Sequence, residues 1–298
     1  MNIVTKEQAL RVFQTCGVQR GDVLLVHSAL RPFGQVDGGA ATIAAALREA
    51  VGEEGTLVAP AFTFRHEVEE RPVIDPAGDR SEMGAISECI RNLPGARRSI
   101  AYRHSLSAVG PKAGTIVDVN PVLSVFDMGS SFGRLLALDA KIALLGLTYV
   151  SCTSYHFGEY LVQIPCRETV KRQVLLKKPG GALEPMTLLD YQPSPTDDGR
   201  EYEFPHDFDK LGNLLEEAGK VRVGNIGNAM VRVFRMRDLI YTILEQYPLH
   251  PDLFYEDEGK GPTKLKDGVS VSTGDLLDGA GRLVETFWSC VDPEQMHR

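Results

Sequence analysis

Three short apolar runs, each followed by a helix-like segment, constrain this chain more than any other feature. Val23-Leu24-Leu25-Val26 closes on His27, a second run spans 55–62, and a third spans 141–148. Continuous apolar runs of this length read as strands buried on both faces, the kind found in the middle of parallel sheets. Between them, 40–51 is rich in alanine, 81–92 carries Ser81 as its expected N-cap, and 131–138 and 154–161 read as helices. Near the start, Thr5-Lys6-Glu7-Gln8 forms a capping box that opens a helix running to about Cys16. Strands alternating with helices predict an α/β fold, a layered mixed β-sheet flanked by helices. Residues 166–205 alternate strand-like runs with Pro and Gly, so an antiparallel insertion is expected there. Two further helices are expected over 207–218 and 229–246, while 120–128 gives no clear period.

The chain has 298 residues and a formal net charge of −8. That length can bury a sizeable core, and that charge argues against nucleic acid as a partner, since phosphate binding needs a basic surface. An acidic surface attracts cationic small molecules instead. The five cysteines form no C-x-x-C pair, which favours a reducing cytosol over a disulfide framework or a zinc knuckle. No run approaches the ~20 apolar residues that cross a bilayer. The N-terminal sequence has no apolar signal-peptide core. A cytoplasmic protein with no membrane partner and no metal is expected, and a homodimer is compatible with it.

Four clusters can carry chemistry. His27, Ser28, Gly34, Gly38 and Gly39 stand between the first strand and its helix. There glycines let a ligand approach the backbone, and a helix N-terminus offers free N–H donors. The spacing matches neither G-x-G-x-x-G nor the P-loop. The second cluster is Cys152-Thr153-Ser154-Tyr155-His156-Phe157-Gly158-Glu159. On a helix, His156 and Glu159 at i and i+3 share a face, and a carboxylate beside an imidazole makes a general base. A surface ion pair is the competing reading. Cys152, one turn earlier, leaves a thiol nucleophile open. Third, Gly129-Ser130-Ser131-Phe132-Gly133 fits the G-x-S-x-G nucleophile elbow, so a serine hydrolase using Ser131 stays open. Fourth, Arg97-Arg98-Ser99 with Arg103-His104-Ser105 suits a phosphate, such as that of coenzyme A, although the spacing alone favours a solvated basic loop.

Taken in order, these segments resemble the aminoglycoside 3-N-acetyltransferase family, antibiotic acetyltransferases distinct from the GNAT fold. The resemblance rests on Gly21-Asp22, Val26-His27-Ser28-Ala29-Leu30-Arg31, Gly34-Gln35-Val36-Asp37-Gly38-Gly39, and Gly55-Thr56-Leu57-Val58 with Pro60. It continues through Asp75-Pro76, Met83-Gly84 with Glu88 and Arg91, Pro94-Gly95-Ala96, Arg98-Ser99, and Ser105 to Gly110. Gly129-Ser130, Leu144-Leu145-Gly146, Thr153 with His156 and Glu159, Gly224, Gly227-Asn228-Ala229, and Arg235 to Leu239 complete it. Coverage is about residues 6–245. The GNAT signature is nearly met at Arg31-Pro32-Phe33-Gly34-Gln35, but Val36 replaces its final small residue.

The resemblance implies transfer of an acetyl or short acyl group from coenzyme A to an amine of an aminoglycoside-like or amino-sugar substrate. It implies an acyltransferase domain over 1–247, with 248–298 packed on it as an extension. It places acetyl-CoA on His27, Ser28, Ala29, Leu30, Arg31, Gly34, Val36, Gly38, Gly39, Arg98, Ser99 and Ser105. Loop N–H groups at Ser28 to Leu30 are expected to face the thioester oxygen. His156 takes the amine's proton and Glu159 orients its ring. Glu67, Asp75, Asp207 and Asp209 are candidate partners for the acceptor's ammonium groups. A non-catalytic acyl-CoA-binding relative is the remaining alternative. Ala101-Tyr102 stands where the family carries His-Pro, and Cys152 where it carries Asn, which leaves the acceptor open.

Overall fold

A computed structural model describes residues 3–164, 167–194 and 206–255. In chain order the elements are α1 (Lys6–Thr15), β1 (Val23–Ser28), α2 (Ala40–Val51), β2 (Thr56–Pro60), β3 (Val73–Ile74), α3 (Ala85–Arg91), β4 (Arg97–Arg98), β5 (Leu106–Val109) and α4 (Ala113–Val117). They continue with α5 (Ser131–Ala137), β6 (Lys141–Leu145), α6 (Ser154–Leu161), β7 (Arg167–Lys177), β8 (Leu183–Pro193), α7 (Phe208–Glu217), β9 (Arg222–Ile226), β10 (Ala229–Arg235) and α8 (Met236–Gln246).

The main sheet has seven strands in the order β4-β5-β2-β1-β6-β10-β9. The three apolar runs are its centre: β1 pairs in parallel with β2 on one side and β6 on the other. Because side chains alternate across a strand, Leu24 and Val26 join a core with α1, α2 and α3. Val23 and Leu25 point the opposite way, into a core shared with α4 to α8. The result is a three-layer α/β/α body, as the sequence predicts. The expected insertion is the β7–β8 hairpin, in which β7 also pairs with the short strand β3; residues 195–205 of that insertion lie outside the described residues. Leu253, Phe254 and Tyr255 bury themselves in the larger core, so the chain just beyond 247 continues the body. Residues 256–298 of the expected extension lie outside the described residues.

Two expectations need correction. The helix expected over 229–246 is a strand followed by a helix: Ala229–Arg235 is β10, antiparallel to both β6 and β9. Gly227-Asn228 makes the two-residue turn between β9 and β10, with Gly227 at φ 58°, the geometry of a hairpin turn with glycine first. A Cβ at Gly227 would also stand 2.3 Å from the Phe33 carbonyl oxygen. The helix expected from Ser81 begins instead after Gly84. Ser81 Oγ donates to Pro60 O at 3.0 Å and accepts from Met83 N at 3.2 Å, so it braces the end of β2.

A close approach fixes α7 over the segment that leads into α6. A Cβ at Gly212 would stand 1.9 Å from the Tyr149 ring. That ring cannot yield easily: its hydroxyl donates to Glu216 at 2.8 Å, and Arg232 lies over it at 5.2 Å. Gly212→Ala is therefore an overpacking change, expected to cost about 1–3 kcal/mol. A thermal melt should show the midpoint falling by roughly 2–12 °C.

Candidate functional site

Ligands of open α/β sheets bind beyond the carboxyl ends of the strands, where the strand order reverses. Here that point lies between β1 and β6, since the chain goes from β1 to β2 on one side and later returns to β6 on the other. The segments that leave β1 and β6 at this edge are 29–39 and 146–161. Antiparallel pairing brings the residues before β5 to the same edge, because Leu106 faces Pro60.

His27 is the penultimate residue of β1, 4% exposed, and its Nε2 has no hydrogen-bond partner among the described residues. Ser28 Oγ is likewise buried and unpaired. Burial pushes the His27 imidazole down to about 4. The unfolded ring titrates near 6.5, so between those values the unfolded chain binds more protons, and stability falls as pH falls. The penalty is absent above pH 6.5 and reaches roughly 3 kcal/mol below pH 4. Urea unfolding of wild type and His27→Gln across this window should show the acid-dependent difference shrinking in the variant.

The loop after β1 is a cradle of left-handed glycines: Gly34, Gly38 and Gly39 have φ of 75°, 72° and 63°. No heavy atom would lie within 4 Å of a Cβ at Gly34 or Gly39, so both border open space. Gly39 caps the twelve-residue α2 with no side-chain hydrogen bond, leaving its first N–H groups for a ligand. Leu30 and Arg31 lead into a single 3-10 turn, and Val36 forms a bridge with Val4. The Ala29 amide donates to Leu145 O at 2.9 Å, so it is spent within the fold and is not free for a thioester oxygen.

Other candidates have internal partners. The Arg98 guanidinium donates to the Ala61 and Asp79 carbonyls, to Thr63 Oγ1 and to Ser105 Oγ. Ser99 Oγ accepts from Leu106 N, and Ser105 Oγ donates to Ala61 O, both at 2.9 Å. These three residues thus tie β2 to the β4–β5 hairpin. Arg103 pairs with Asp190 and Glu67. Asp75 pairs with Lys177 at 2.7 Å. Asp207 caps α7, and Asp209 accepts from the Tyr149 amide at 2.9 Å.

α6 starts at Ser154 and puts His156 and Glu159 on one face, as their spacing predicts. His156 Nδ1 lies 2.6 Å from Glu159 Oε2. The carboxylate is fully buried, whereas the imidazole keeps 21% of its side chain exposed. Burial pushes His156 down to about 4, against the pull of Glu159 and with the help of Arg167. Glu159 stays ionised despite its burial, because His156, His206 and Arg167 surround it. A neutral ring that donates from Nδ1 carries its lone pair on Nε2. Phe126 and Phe208 wall the imidazole at 6.1 and 5.2 Å between ring centroids.

Three residues at this cluster, Arg167, His206 and His104, lie beyond what the sequence patterns assign. Arg167, at the start of β7, places Nε 2.8 Å from Glu159 Oε2 and Nη2 2.6 Å from His206 Nε2. His206 Nε2 is 3.5 Å from Glu159 Oε1. Both come from distant stretches whose local patterns reveal only a strand and a loop. Acceptor atoms of His156, Glu159 and His206 converge within 4.8 Å, and the cation among them is the Arg167 guanidinium. His104 packs edge-on against Phe62 at 4.9 Å and faces His156 at 6.3 Å, with its Nδ1 buried and unpartnered. Its only sequence signal was the neighbouring Arg and Ser.

The competing nucleophiles lack what they need. Cys152 is fully buried and its thiol is pushed up to about 12, so no thiolate forms near neutrality. Ser131 opens α5 with its Oγ buried and without a hydrogen-bond partner, and turns, not a strand, precede that helix. A nucleophile elbow needs both a strand before it and a base in reach.

The switch point between β1 and β6, and the carboxylate-held imidazole on the helix that follows β6, belong to an α/β fold of the ligand-binding open-sheet class. A family model described as aminoglycoside 3-N-acetyltransferase matches residues 25–247, and the chain belongs to that family of acyltransferases. It is 31% identical to aminoglycoside N(3)-acetyltransferase III of Salmonella sp over 263 residues, covering 82% of this chain and 92% of that one. Among solved structures, the AAC(3)-IVa apoenzyme superposes with a TM-score of 0.69 at 28% identity, over 88% of this chain and 95% of that one. AAC-IIIb, in a binary structure with CoASH, shares the fold with a TM-score of 0.72 at 23% identity, over 86% of this chain and all of that one. A histidine-to-alanine variant of AAC(3)-IVa in complex with a gentamicin superposes at 0.70 with 26% identity, over 86% of this chain and 93% of that one. No helix among the described residues is long and apolar enough to cross a membrane.

Proposed function

We propose that this chain moves an acetyl group from acetyl-coenzyme A to an amine of an aminoglycoside-like substrate, with His156 as general base. The observation that carries this reading is the 2.6 Å contact between a partly exposed imidazole and a wholly buried carboxylate. Acetyl-coenzyme A would supply a thioester, the activated acyl carbon, when bound. The residues that fit it are the unpaired His27 and Ser28, the open glycines of 34–39 and the N-terminus of α2. Its phosphates match free N–H donors at a helix start.

The proton transfer follows from the ring's state. An imidazole held near 4 is too weak a base to strip a resting ammonium. The acceptor therefore attacks as the neutral amine, its ammonium proton already lost to solvent. As the C–N bond forms the nitrogen becomes far more acidic and Nε2 takes its proton. The C–S bond then breaks, with the sulfur leaving as a thiolate that takes a proton from the imidazolium or from solvent. Glu159 stabilises the imidazolium at Nδ1, and the fixed ring orientation removes a search for geometry. The formal charge of −8 draws a polycationic acceptor toward the protein.

The test uses the purified full chain, acetyl-CoA and a panel of aminoglycosides, amino sugars and simple amines. Free thiol should appear only with an acceptor, together with an N-acetylated product in the mass spectrum. CoA binding with no turnover for any amine would leave only a binding protein.

A further inference from the structure

We propose that Arg167 is a positioning residue of the transfer reaction, clamping Glu159 and His206 together so that His156 keeps its Nδ1–H on the carboxylate and Nε2 bare. The proposal rests on His156 being the base. Arg167 is only 8% exposed, and a guanidinium fork can engage two partners at once. Nε lies 2.8 Å from Glu159 Oε2 as an ion pair, and Nη2 donates to His206 Nε2 at 2.6 Å. The Tyr191 ring closes the far side, 5.5 Å from the guanidinium carbon. Since Arg167 cannot give up its proton, His206 Nε2 must accept, which makes His206 neutral with its proton on Nδ1.

Among the described residues, four titratable or charged groups face His156. Glu159 comes from α6 itself, Arg167 from β7, His206 from the segment before α7, and His104 from the segment before β5. Burial is the main force that keeps the imidazole neutral, and Glu159 pulls a proton back toward it. Arg167 shares that carboxylate and opposes a second positive charge beside it, which adds to the effect of burial and keeps the lone pair available.

The experiment is a pH titration of the ¹⁵N-histidine-labelled full chain by long-range ¹H–¹⁵N NMR, in wild type, Arg167→Met and Arg167→Lys, with circular dichroism confirming the fold. Wild type should show His156 protonated on Nδ1. In Arg167→Met its midpoint should rise by roughly one to three units, the effect of removing a like charge at this range. Arg167→Lys, which restores the charge, should bring the midpoint back toward wild type. If the methionine variant fails to fold, Arg167→Gln keeps an amide donor for Glu159 without the charge and gives the same reading. An unmoved His156 midpoint in the uncharged variant overturns the clamp. That outcome is separate from failure of the base assignment, which would appear as undiminished transfer in His156→Ala while the titration shift persists.

Discussion

Glu159→Leu is expected to destabilise the protein by about 3–5 kcal/mol, the cost of breaking a buried ion pair from one side. The carboxylate is fully buried, and Arg167 at 2.8 Å and His156 at 2.6 Å converge on it, with His206 Nε2 beside them at 3.5 Å. Leucine fills a similar volume but removes the counterion that the 8% exposed Arg167 has among the described residues. Since whole domains have only about 5–15 kcal/mol of stability, the loss is a large share of the total. Glu159→Gln keeps one acceptor oxygen and should cost less. Urea unfolding of the three proteins at neutral pH should rank them wild type, Gln, Leu. A leucine variant as stable as wild type would show that the cluster contributes nothing to the fold.

His156→Ala is expected to lower kcat by about 10²–10⁴, the range for loss of a positioned general base. The fold should survive, because Glu159 keeps Arg167 as its counterion. The acceptor KM should change less than kcat, since the ring's main interaction with the amine exists only as the proton moves. Glu159→Gln should retain part of the activity, because the imidazole remains but its tautomer is no longer enforced. Combining Glu159→Gln with His156→Ala should cost little more than His156→Ala alone, because the carboxylate acts through the ring.

The parts of the fold and site that were legible in the sequence are those fixed by local patterns. The three central strands could be read because burial on both faces leaves an unbroken apolar run. The sequence predicts α6 with its observed bounds, and with it the shared face of His156 and Glu159, because i and i+3 geometry is local. β9 and β10 were not read, although Gly227-Asn228 between them is a hairpin signal. Ala229, Val231 and Val233 alternate, but the run flows into Met236–Gln246 with no breaker, and a helical period covers both. The Arg167–His206 clamp could not be read at all. It joins residues 39 positions apart, and nothing in their neighbourhoods marks either for the site. Arg98, Ser99 and Ser105 had the right composition for a phosphate site, yet the fold directs their polar atoms into backbone carbonyls and amides. Side-chain chemistry is visible in a sequence, but the direction in which a side chain points is not.

The base assignment is tested most directly by single-turnover thiol release from saturating acetyl-CoA and acceptor, wild type against His156→Ala, with CoA affinity measured separately by calorimetry. The expected result is equal CoA binding and a chemical step at least about a hundredfold slower in the variant. Equal single-turnover rates in the two proteins would contradict it.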